Sequence, residues 1–430
     1  MPQPHPLRES LHNEVHARPY ERLSAPLVLS HLALLTPDGA AASREHLQQL
    51  LRARHLPMPA AEASHLSTDL GGGLRLRWEQ HTEFQTYTFW RTLPQAPAGF
   101  EQTALQAAPQ DWLAGLPGQW LVGLHLLALQ AADDDVPELV RASLDEDSLV
   151  GATLMDGQAQ VFTDFRLAPD GQARWLVVLP AVGAAMNPRR LGRGVQRLLE
   201  VETYRMMSLL GLPVAREVGS ALMHAERDLA SVAGEIRSAS QAQEPELLRR
   251  LTTLAGEVES LYARTHARFS ASAAYFELVQ RRIHELGEER VHGLQTLGEF
   301  MDRRLGPAMQ TCAWAARRQQ ALSERISRTS NLLRTRVEIE SQQSSQALLD
   351  TMNERQKVQL LLQSAVEGLS VAAITYYGAG LVGYVAKAAK SVGWPVSPDV
   401  AVALCIPLIG VGVWLGVRRL HRMAHEALGH

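Results

Sequence analysis

Two histidines and a glutamate near the N-terminus have the residue types that bind zinc. His12, Glu14 and His16 lie in the segment HNEVHARP. In the metalloprotease helix the histidines are four residues apart, and the glutamate that acts as general base directly follows the first histidine. Here the glutamate comes one position later, and prolines flank the segment, which disfavours a helix. The spacing therefore predicts a polar arm that docks by hydrogen bonds and salt links, and no metal site.

A polar segment further along the chain also contains residue types that serve in catalysis. His81 and Glu83 lie in WEQHTEFQTYTFW, where two sets of side chains alternate. The sets are Phe84, Thr86 and Thr88, and Gln85, Tyr87 and Phe89. Such alternation is typical of a strand in a packed sheet, and no nucleophile and base can be paired within it. We interpret the segment as structural. A concave pocket with perturbed ionisable groups around His81 and His16 would favour an enzyme instead.

Two further patterns have residue types that bind anions. Gly71, Gly72 and Gly73 lack the GxGxxG or P-loop context of phosphate-binding loops, so they predict a turn. Four arginines near a helix start have the chemistry to bind an anion or a lipid headgroup, but a solvated helix face is the commoner outcome. These are Arg189, Arg190, Arg193 and Arg197. The sequence therefore assigns no catalytic, cofactor-binding or metal-ligating residue.

The composition limits the class of protein. The 430 residues are enough for two or three folding units. A net charge of -3 with 20% charged residues gives no basic excess of the kind that nucleic-acid binding needs, so no nucleic-acid partner is expected. Cys312 and Cys405 fall on a polar helical stretch and an apolar stretch, which disfavours a structural disulfide and fits a reducing cytoplasm. The N-terminal region contains no apolar run of signal-peptide length.

Two apolar segments near the C-terminus have the length of membrane spans. Residues 368–386 form a run of 19 residues without a charge, and residues 400–417 form a second run of 18. A helix needs about 20 apolar residues to cross the hydrocarbon layer of a bilayer. Because a short connector joins the two runs, they predict a hairpin of two transmembrane helices. The alternative is a pair of buried core helices.

Small residues in this hairpin predict close packing of helices. Small side chains spaced four residues apart let helix backbones approach each other in lipid. They are Ala379 with Gly383, and Gly412 with Gly416. The spacing predicts that the hairpin packs at helix interfaces in a homo-oligomer.

Charged residues around the hairpin predict its orientation. Arg418, Arg419 and Arg422 follow the second span, and positive residues mark the cytoplasmic side of membrane helices. With no signal peptide, this pattern predicts both termini in the cytoplasm and the connector in the periplasm, although the connector carries Lys387 and Lys390. We expect an integral protein of the bacterial inner membrane, with the lipid bilayer as a partner and the bulk of the chain in the cytoplasm.

Apolar residues at helical spacing predict long helices before the hairpin. A first stripe has coiled-coil-like spacings of 4, 3, 4 and 3, and the predicted helix ends at Gly306 and Pro307. The stripe is Leu247, Leu251, Leu254, Val258 and Leu261, and it continues through Phe269, Phe276, Ile283, Leu294, Leu297 and Met301. A second helix follows, and because residues 308–367 contain no proline or glycine, it is predicted to enter the membrane without a break. An intramolecular helical bundle explains the pattern as well as coiling between chains.

The first half of the chain has the pattern of an α+β domain. Short β-rich runs predict strands at 27–35, 74–79, 83–90, 120–129, 160–165 and 174–179. Helical patterns at 43–54 and 137–142 lie between them, in the order of two β-α-β halves. The predicted organisation is an α+β cytoplasmic domain over 1–188, a coiled-coil-like helical stalk or bundle over 189–367, the transmembrane hairpin over 368–417 and a basic tail over 418–430.

Five sequence blocks, spread over nearly the whole chain, carry a resemblance to a known family. They are HNEVHARP, HTEFQTYTF, TDF at 163–165, QRLLEVETYRMM and LLQSAVEGLSVAAITYYGAGLVGYVAK. Together they resemble a bacterial family of uncharacterised membrane-anchored proteins. The resemblance implies the membrane anchor and no particular activity.

The order of the predicted elements is also similar to that of the two-span magnesium-channel family. That family has an α/β cytoplasmic domain, a long helix that continues into the first of two C-terminal spans, and a basic tail. Its Gly-Met-Asn signature after the first span is replaced here by Tyr384, Val385, Ala386 and Lys387. Lys387 and Lys390 at a pore mouth would repel divalent cations.

The sequence leaves three hypotheses for function. The first is a membrane-anchored oligomeric scaffold or regulatory protein, because no chemical site can be assigned and a fold alone does not fix function. The second is a divergent divalent-cation channel or transporter, which a pore-lining stripe of Ser370, Thr375 and Tyr377 would favour. The third is a membrane-tethered enzyme.

Overall fold

The chain forms two compact units in the computed structural model. The structure describes residues 3–9, 11–12, 19–37, 39, 41–60, 63–182, 185–395 and 397–427. The first unit consists of Met1–Ser238 and Arg249–Ser330, and the second consists of Ala239–Leu248 and Asn331–His430.

A sheet that has nine strands in the described part of the chain organises the first unit. The strands are β1 (Leu27–Leu35), β2 (His65–Gly71), β3 (Leu74–Gln80), β4 (Phe84–Thr92), β5 (Gln119–Ala131), β6 (Val150–Leu154), β7 (Ala159–Leu167), β8 (Ala173–Pro180) and β9 (Glu289–Arg290). Their order is β2-β3-β4-β1-β5-β8-β7-β6-β9. Among the described strands, β5 and β8 pair in parallel and the other neighbours pair antiparallel.

The sheet is built from two halves with the same order of elements. Strand β1, helix α1 (Ala41–Ala53) and the meander β2–β4 form the first half. Helix α2 (Gln110–Ala114) precedes the second half, which consists of β5, helix α3 (Val136–Ser143) and the meander β6–β8. In the second half β5 pairs with the last strand in parallel, whereas in the first half β1 pairs with the last strand antiparallel.

Strand alternation gives the sheet two different faces. One face carries the larger apolar core, in which Trp78, Tyr87 and Phe89 from the sheet pack with Leu47 and Leu51 of α1. These side chains are fully buried, since none exceeds 0% exposure. The other face packs a smaller apolar cluster, which includes Ala33, Phe84 and Val122, with Met207 of a helix that begins after the sheet.

Helices follow the sheet in the chain. They are α4 (Pro188–Leu209), α5 (Gly211–Ile236), α6 (Glu244–Leu286), α7 (Leu297–Arg304), α8 (Gly306–Ser391) and α9 (Pro398–Ala427). The predicted order of a sheet domain, a long helix and a C-terminal apolar helix is therefore confirmed.

Within the first unit, α5, α6 and α8 pack as an intramolecular bundle. Arg318 of α8 donates two hydrogen bonds to Glu226 of α5, at 2.7 and 2.5 Å. Thr265 of α6 donates to Gln319 of α8 across 3.3 Å. The apolar stripe of α6, which includes Leu251, is buried. For this part of the chain, the structure shows the intramolecular bundle that the sequence left open as one of two alternatives.

The predicted continuation of α6 to Gly306 is wrong. The helix ends at Leu286, and Gly287 adopts a left-handed backbone with φ of +58°. The chain then forms β9, which pairs with β6 at the edge of the sheet. Leu297 and Met301 belong to the separate short helix α7, whose start is fixed by a capping box between Thr296 and Glu299. The apolar residues keep a helical spacing across the break because both α6 and α7 bury apolar side chains.

The second unit contains the apolar C-terminal helices. Within the described residues, two helical stretches are long and apolar enough to cross a membrane: Leu297–Ser391 contains a window of mean hydropathy 1.4, and Pro398–Arg419 contains one of 2.4. Helix α8 extends five residues beyond the predicted first span, to Ser391, and α9 continues past the predicted second span to Ala427. Gly378 and Gly383 of α8 face Ile409 and Val402 of α9, so the two helices pack against each other.

Candidate ligand-binding cavity on the sheet

A cavity of about 480 Å³ lies between the sheet and α4 in the first unit. Its floor is formed by β3, β4 and β1, and its other walls by α4, by Arg282 of α6 and by residues 19–23. A volume of this size falls in the range of small-molecule sites, which is about 300–1,000 Å³. The cavity therefore has room for a ligand of modest size.

The strand register brings polar residues of three strands into one row on this floor. Arg77 of β3 is paired with Thr88 of β4, and Thr88 is paired with His31 of β1. In the neighbouring row, Glu79 is paired with Thr86. Because side chains alternate along a strand, these residues point to the same face of the sheet. The alternating residues Phe84, Thr86 and Thr88 therefore belong to the floor of the cavity.

His31 is the most deeply buried ionisable group of the cavity. Its Nδ1 lies 2.8 Å from Thr88 Oγ1, and its Nε2 lies 3.0 Å from Thr203 Oγ1 of α4. Burial lowers the pKa of His31 to about 4, and the neighbouring charges of Glu79, His81 and Arg77 modify this effect in both directions. The imidazole is therefore neutral at neutral pH, and it holds α4 to the sheet through two hydroxyl groups.

Two charged residues of the cavity floor form an ion pair. Arg77 donates to Glu79 at 2.8 Å, and also to Gln196 of α4 and to the carbonyl of Pro19, both at 3.0 Å. Gln196 in turn donates to Glu200.

A second pair closes the network at α6. Glu200 accepts a short hydrogen bond from Arg282. Burial disfavours the charged form of Arg282, but the negative charge and hydrogen bond of Glu200 outweigh this effect and raise the pKa of Arg282. The guanidinium and the carboxylate therefore neutralise each other within the wall.

Thr86 differs from the other polar residues of the cavity. The side chain is 3% exposed, and its Oγ1 has no hydrogen-bond partner within the described part of the chain. Leaving a buried hydroxyl unpaired costs about 1–3 kcal/mol. The cavity thus contains one buried group whose hydrogen-bonding capacity is unused.

His81 and Glu83, which directly precede β4, have different roles. His81 lines the cavity and stacks on Phe84, with ring centroids 4.3 Å apart. Glu83 forms two hydrogen bonds with Arg268 of α6, at 2.8 and 3.1 Å. Burial alone would raise the pKa of Glu83, but the bonds from Arg268 and Tyr275 lower it overall. Glu83 therefore ties the strand to α6.

The N-terminal arm is only partly described. His12 is exposed, whereas Glu14 and His16 lie outside the described residues. No group of three or more histidine, cysteine, aspartate or glutamate side chains in the described ranges is arranged to hold a metal ion. His81 lines the cavity, and His16 lies outside the described residues.

Three of the four arginines near the start of α4, Arg189, Arg190 and Arg193, line one surface pocket, and Arg197 is not among its lining residues. Arg190 donates to the carbonyl of Met155 at 2.8 Å and pairs with Asp156, and Arg197 pairs with Glu285 at 3.2 Å. Arg189 and Arg193 are exposed.

The glycine triplet at 71–73 forms the turn between β2 and β3, as predicted. All three residues have positive φ, between +64° and +89°. This backbone geometry explains why the turn consists of glycines.

The small residues of the apolar helices also divide into two groups. Ala379 is 9% exposed, and a Cβ added at Gly383 would lie 3.3 Å from Val402, so this pair faces the other helix of the hairpin. Gly412 and Gly416 have no described atom within 4 Å of such a Cβ. Arg418 and Arg419 are exposed in α9, and Arg418 lies over the ring of Trp414. The side chain of Arg422 lies outside the described part of the structure.

Sequence inspection missed His31 and its partners on α4. A signal was present, because His31 is the single ionisable residue in the apolar strand LVLSHLALL. On α4, Gln196, Glu200 and Thr203 are spaced by four and three residues, which places them on one helical face. A lone buried histidine facing a polar helix stripe was the feature that could have located the cavity.

A serine, a histidine and an aspartate on the opposite face of the sheet resemble a catalytic triad without serving as one. Ser30 Oγ lies 2.8 Å from His125 Nδ1, and His125 Nε2 lies 3.6 Å from Asp170. Ser30 is 0% exposed, and its oxygen accepts a hydrogen bond from the backbone of Leu105 at 3.0 Å. A nucleophile must reach its substrate, so these residues are structural.

The fold and the cavity define a class of protein: an α+β sheet domain with a cavity lined by polar and apolar side chains, followed by a helical bundle and two apolar C-terminal helices. The sequence model of the family described as Protein of unknown function (DUF3422) matches residues 3–424. The chain belongs to this family, which confirms the resemblance to an uncharacterised family. The similarity to the magnesium-channel family is not confirmed. A search of curated proteins and a search of solved structures each gave no match.

Proposed function

We propose that the protein is a membrane-anchored regulatory or scaffold protein, with the C-terminal helix pair as its anchor. The observation that carries this proposal is the apolar surface of that pair. In the most apolar window of α9 no residue is buried, and in that of the preceding helix 11% are. Leu404 and Leu408 are 65% and 72% exposed. Each such side chain would gain about 1.5–3 kcal/mol from transfer out of water, so a bilayer is the environment that suits this surface.

The charge distribution supports an orientation with both termini in the cytoplasm of a bacterial inner membrane. Arg418 and Arg419 follow the apolar part of α9 and are exposed. Arginines at the end of a span favour the cytoplasmic side. The connector between Ser391 and Pro398 then faces the periplasm.

Membrane extraction tests the anchor. The full chain should stay in the membrane pellet after an alkaline carbonate wash. A variant with Leu404→Arg and Leu408→Arg should appear in the soluble fraction, because a charge at the centre of a span costs about 2.5–3.5 kcal/mol. Met223→Arg, at an exposed apolar position of α5, is the matched control and should not change the distribution. Release of the unaltered chain by carbonate would refute the anchor.

Reporter fusions test the orientation separately. A reporter that is active only in the periplasm should stay inactive when it is fused after His430 and should work when it is inserted near Ser391. The reverse pattern would invert the proposed topology.

Self-association is the second part of this proposal. Two features support it: Gly412 and Gly416 leave an open small-residue surface on α9, and residues 341–366 of α8 are exposed throughout, including Leu348 and Met352. Small residues permit close helix contacts in lipid. We expect the protein purified in mild detergent to be a homo-oligomer, and Gly416→Leu to reduce its size. A monomer by light scattering would contradict this part.

The channel hypothesis is a less favoured alternative. Ser370 and Thr375 donate to the backbone carbonyls of Val366 and Val371, at 2.9 and 2.7 Å, so their hydroxyl protons are used within the helix. Lys387 adds positive charge at the end of the helix, which disfavours divalent cations. Magnesium flux into proteoliposomes should equal that into protein-free vesicles. Clear flux that a substitution in the first span abolishes would overturn the scaffold proposal.

The third hypothesis, a membrane-tethered enzyme, gains from one specific observation. The cavity beside His81 contains the buried His31, whose pKa is strongly lowered, and pockets with perturbed ionisable groups are typical of enzymes. In the described lining the hydroxyls that contact His31 belong to Thr88 and Thr203, which are only 5% and 3% exposed, so they are poorly placed to attack a substrate. The cavity therefore favours ligand binding more directly than catalysis.

A further inference from the structure

We infer that the cavity between β1, β3, β4 and α4 binds an uncharged small molecule that carries hydroxyl groups and a flat ring, of about the size of a nucleoside. This inference goes beyond the membrane-anchored role and does not depend on it. It rests on the size of the cavity, on the unpaired hydroxyl of Thr86, and on the charges and apolar surfaces of the walls.

The unpaired hydroxyl identifies where a ligand would form a hydrogen bond. Thr86 lies between its register partners Glu79 of β3 and Ala33 of β1. Thr86 lines the cavity, and its Oγ1 is buried and has no described partner. A ligand hydroxyl that bonds to this oxygen would remove the cost of an unsatisfied buried polar group. The cavity is therefore incomplete in a way that a polar ligand corrects.

The charges of the walls argue for a ligand without net charge. Arg77 is paired with Glu79 and Arg282 with Glu200. The described lining also contains the ionisable residues Glu21 and His81 and the tyrosines Tyr20 and Tyr204. Among the described lining residues, an anionic ligand could take a guanidinium only from one of these ion pairs, which leaves the displaced carboxylate poorly compensated. An uncharged ligand avoids this cost.

Apolar and aromatic side chains supply the remaining walls. Trp90 and Phe84 of β4 line the cavity together with Leu29 of β1 and Leu199 of α4. A flat ring or the apolar face of a sugar packs well against such surfaces. The combination of paired charges, a free hydroxyl and apolar walls matches a ring that bears hydroxyl groups.

Binding to the full chain in detergent tests the inference. The probes are adenosine, uridine and phenyl β-glucoside, which are uncharged and carry both a ring and hydroxyl groups. AMP and UMP are the charged counterparts of the first two. We expect at least one uncharged probe to raise the melting temperature and to give saturable binding by isothermal titration calorimetry, with its phosphorylated counterpart bound at least about 10-fold more weakly.

A pair of threonine variants locates the site. Thr86→Val keeps the shape and removes the unused hydroxyl, so the ligand-free protein should melt at the same or a higher temperature while binding weakens about 10-fold. Thr163→Val is the matched control: Thr163 is also buried, but its hydroxyl donates to the carbonyl of Arg174 at 2.8 Å. This variant should melt at a lower temperature and bind the probe with unchanged affinity.

Four results would overturn the inference. They are the absence of binding by all three uncharged probes, equal or tighter binding of the phosphorylated probes, unchanged binding by Thr86→Val, and a lower melting temperature of ligand-free Thr86→Val. The last result would mean that the hydroxyl is already satisfied in the ligand-free protein.

Discussion

The first prediction is that mild acid destabilises the first unit through two buried histidines. Burial lowers the pKa of both His31 and His125 to about 4, from an ordinary value of 6.5. In the unfolded chain both imidazoles take up a proton near pH 6.5, whereas in the folded protein they resist protonation until about pH 4. The unfolded state therefore binds more protons between these values, and the free energy of unfolding falls as the pH falls through this window.

The structure sets the size of the effect. At pH 5 the linkage relation gives about 2 kcal/mol for each histidine, hence about 4 kcal/mol for both, relative to pH 7.5. Glu83 and Glu226 have pKa values below 4.5, so the stability that they contribute is retained at pH 5 and is lost at lower pH. Between pH 7.5 and pH 5 the change in the free energy of unfolding therefore comes from the histidines and not from these carboxylates.

Denaturant unfolding at several pH values measures the effect. Tryptophan emission follows the sheet, because Trp78 and Trp175 are fully buried in it. The double variant with His31→Gln and His125→Asn should be less stable at pH 7.5, since it loses hydrogen bonds, but its unfolding midpoint should change much less between pH 7.5 and pH 5. His266→Asn, at an exposed position of α6, should keep the full pH dependence. A midpoint of the unaltered protein that stays constant down to pH 5 would refute the reasoning.

Two further predictions compare glycines that differ only in their surroundings. Gly192→Ala should lower the free energy of unfolding by about 1–3 kcal/mol or more, because the new Cβ would lie 1.8 Å from the backbone oxygen of Glu21. Gly219→Ala has nothing within 4 Å of its new Cβ, so it should raise the free energy of unfolding by about 0.5–1 kcal/mol through the higher helix propensity of alanine. Denaturant titration of both variants measures these changes. In the hairpin, Gly383→Leu should make the protein easier to cleave by protease in detergent, because a Cβ at this position lies 3.3 Å from the facing helix. Gly380→Leu, with open space around it, should not change the cleavage. Equal cleavage of the two variants would contradict the observed packing.

Several elements could be predicted from local sequence alone. The predicted strand at 27–35 coincides with β1, and the other five predicted strands were found with shifts of one or two residues at their ends. Period-two alternation and β-branched or aromatic residues are local properties, which explains this agreement. The missed strands had weaker local signals: β2 alternates poorly in burial, β6 has five residues and β9 has two.

The apolar helices were likewise visible in the sequence, because length and lack of charge are sufficient to identify such a helix. The fold of the region before them was not. Helical spacing predicted one helix through residues 287–296, but a glycine with left-handed backbone and the edge pairing of β9 with β6 redirect the chain. Whether the stripe of α6 packs within the chain or between chains depends on which helices lie nearby, and spacing is the same in both cases.

The sequence by itself determined the period of the strands, the two apolar helices and the family. The cavity was decided only by the tertiary structure, because its residues come from distant parts of the chain. Arg77, His31 and Gln196 meet through strand register and through the packing of α4 on the sheet, and Arg282 joins them from α6. The physical reason is that register and helix docking depend on the whole set of apolar and polar contacts, whereas each segment alone specifies only its own periodicity.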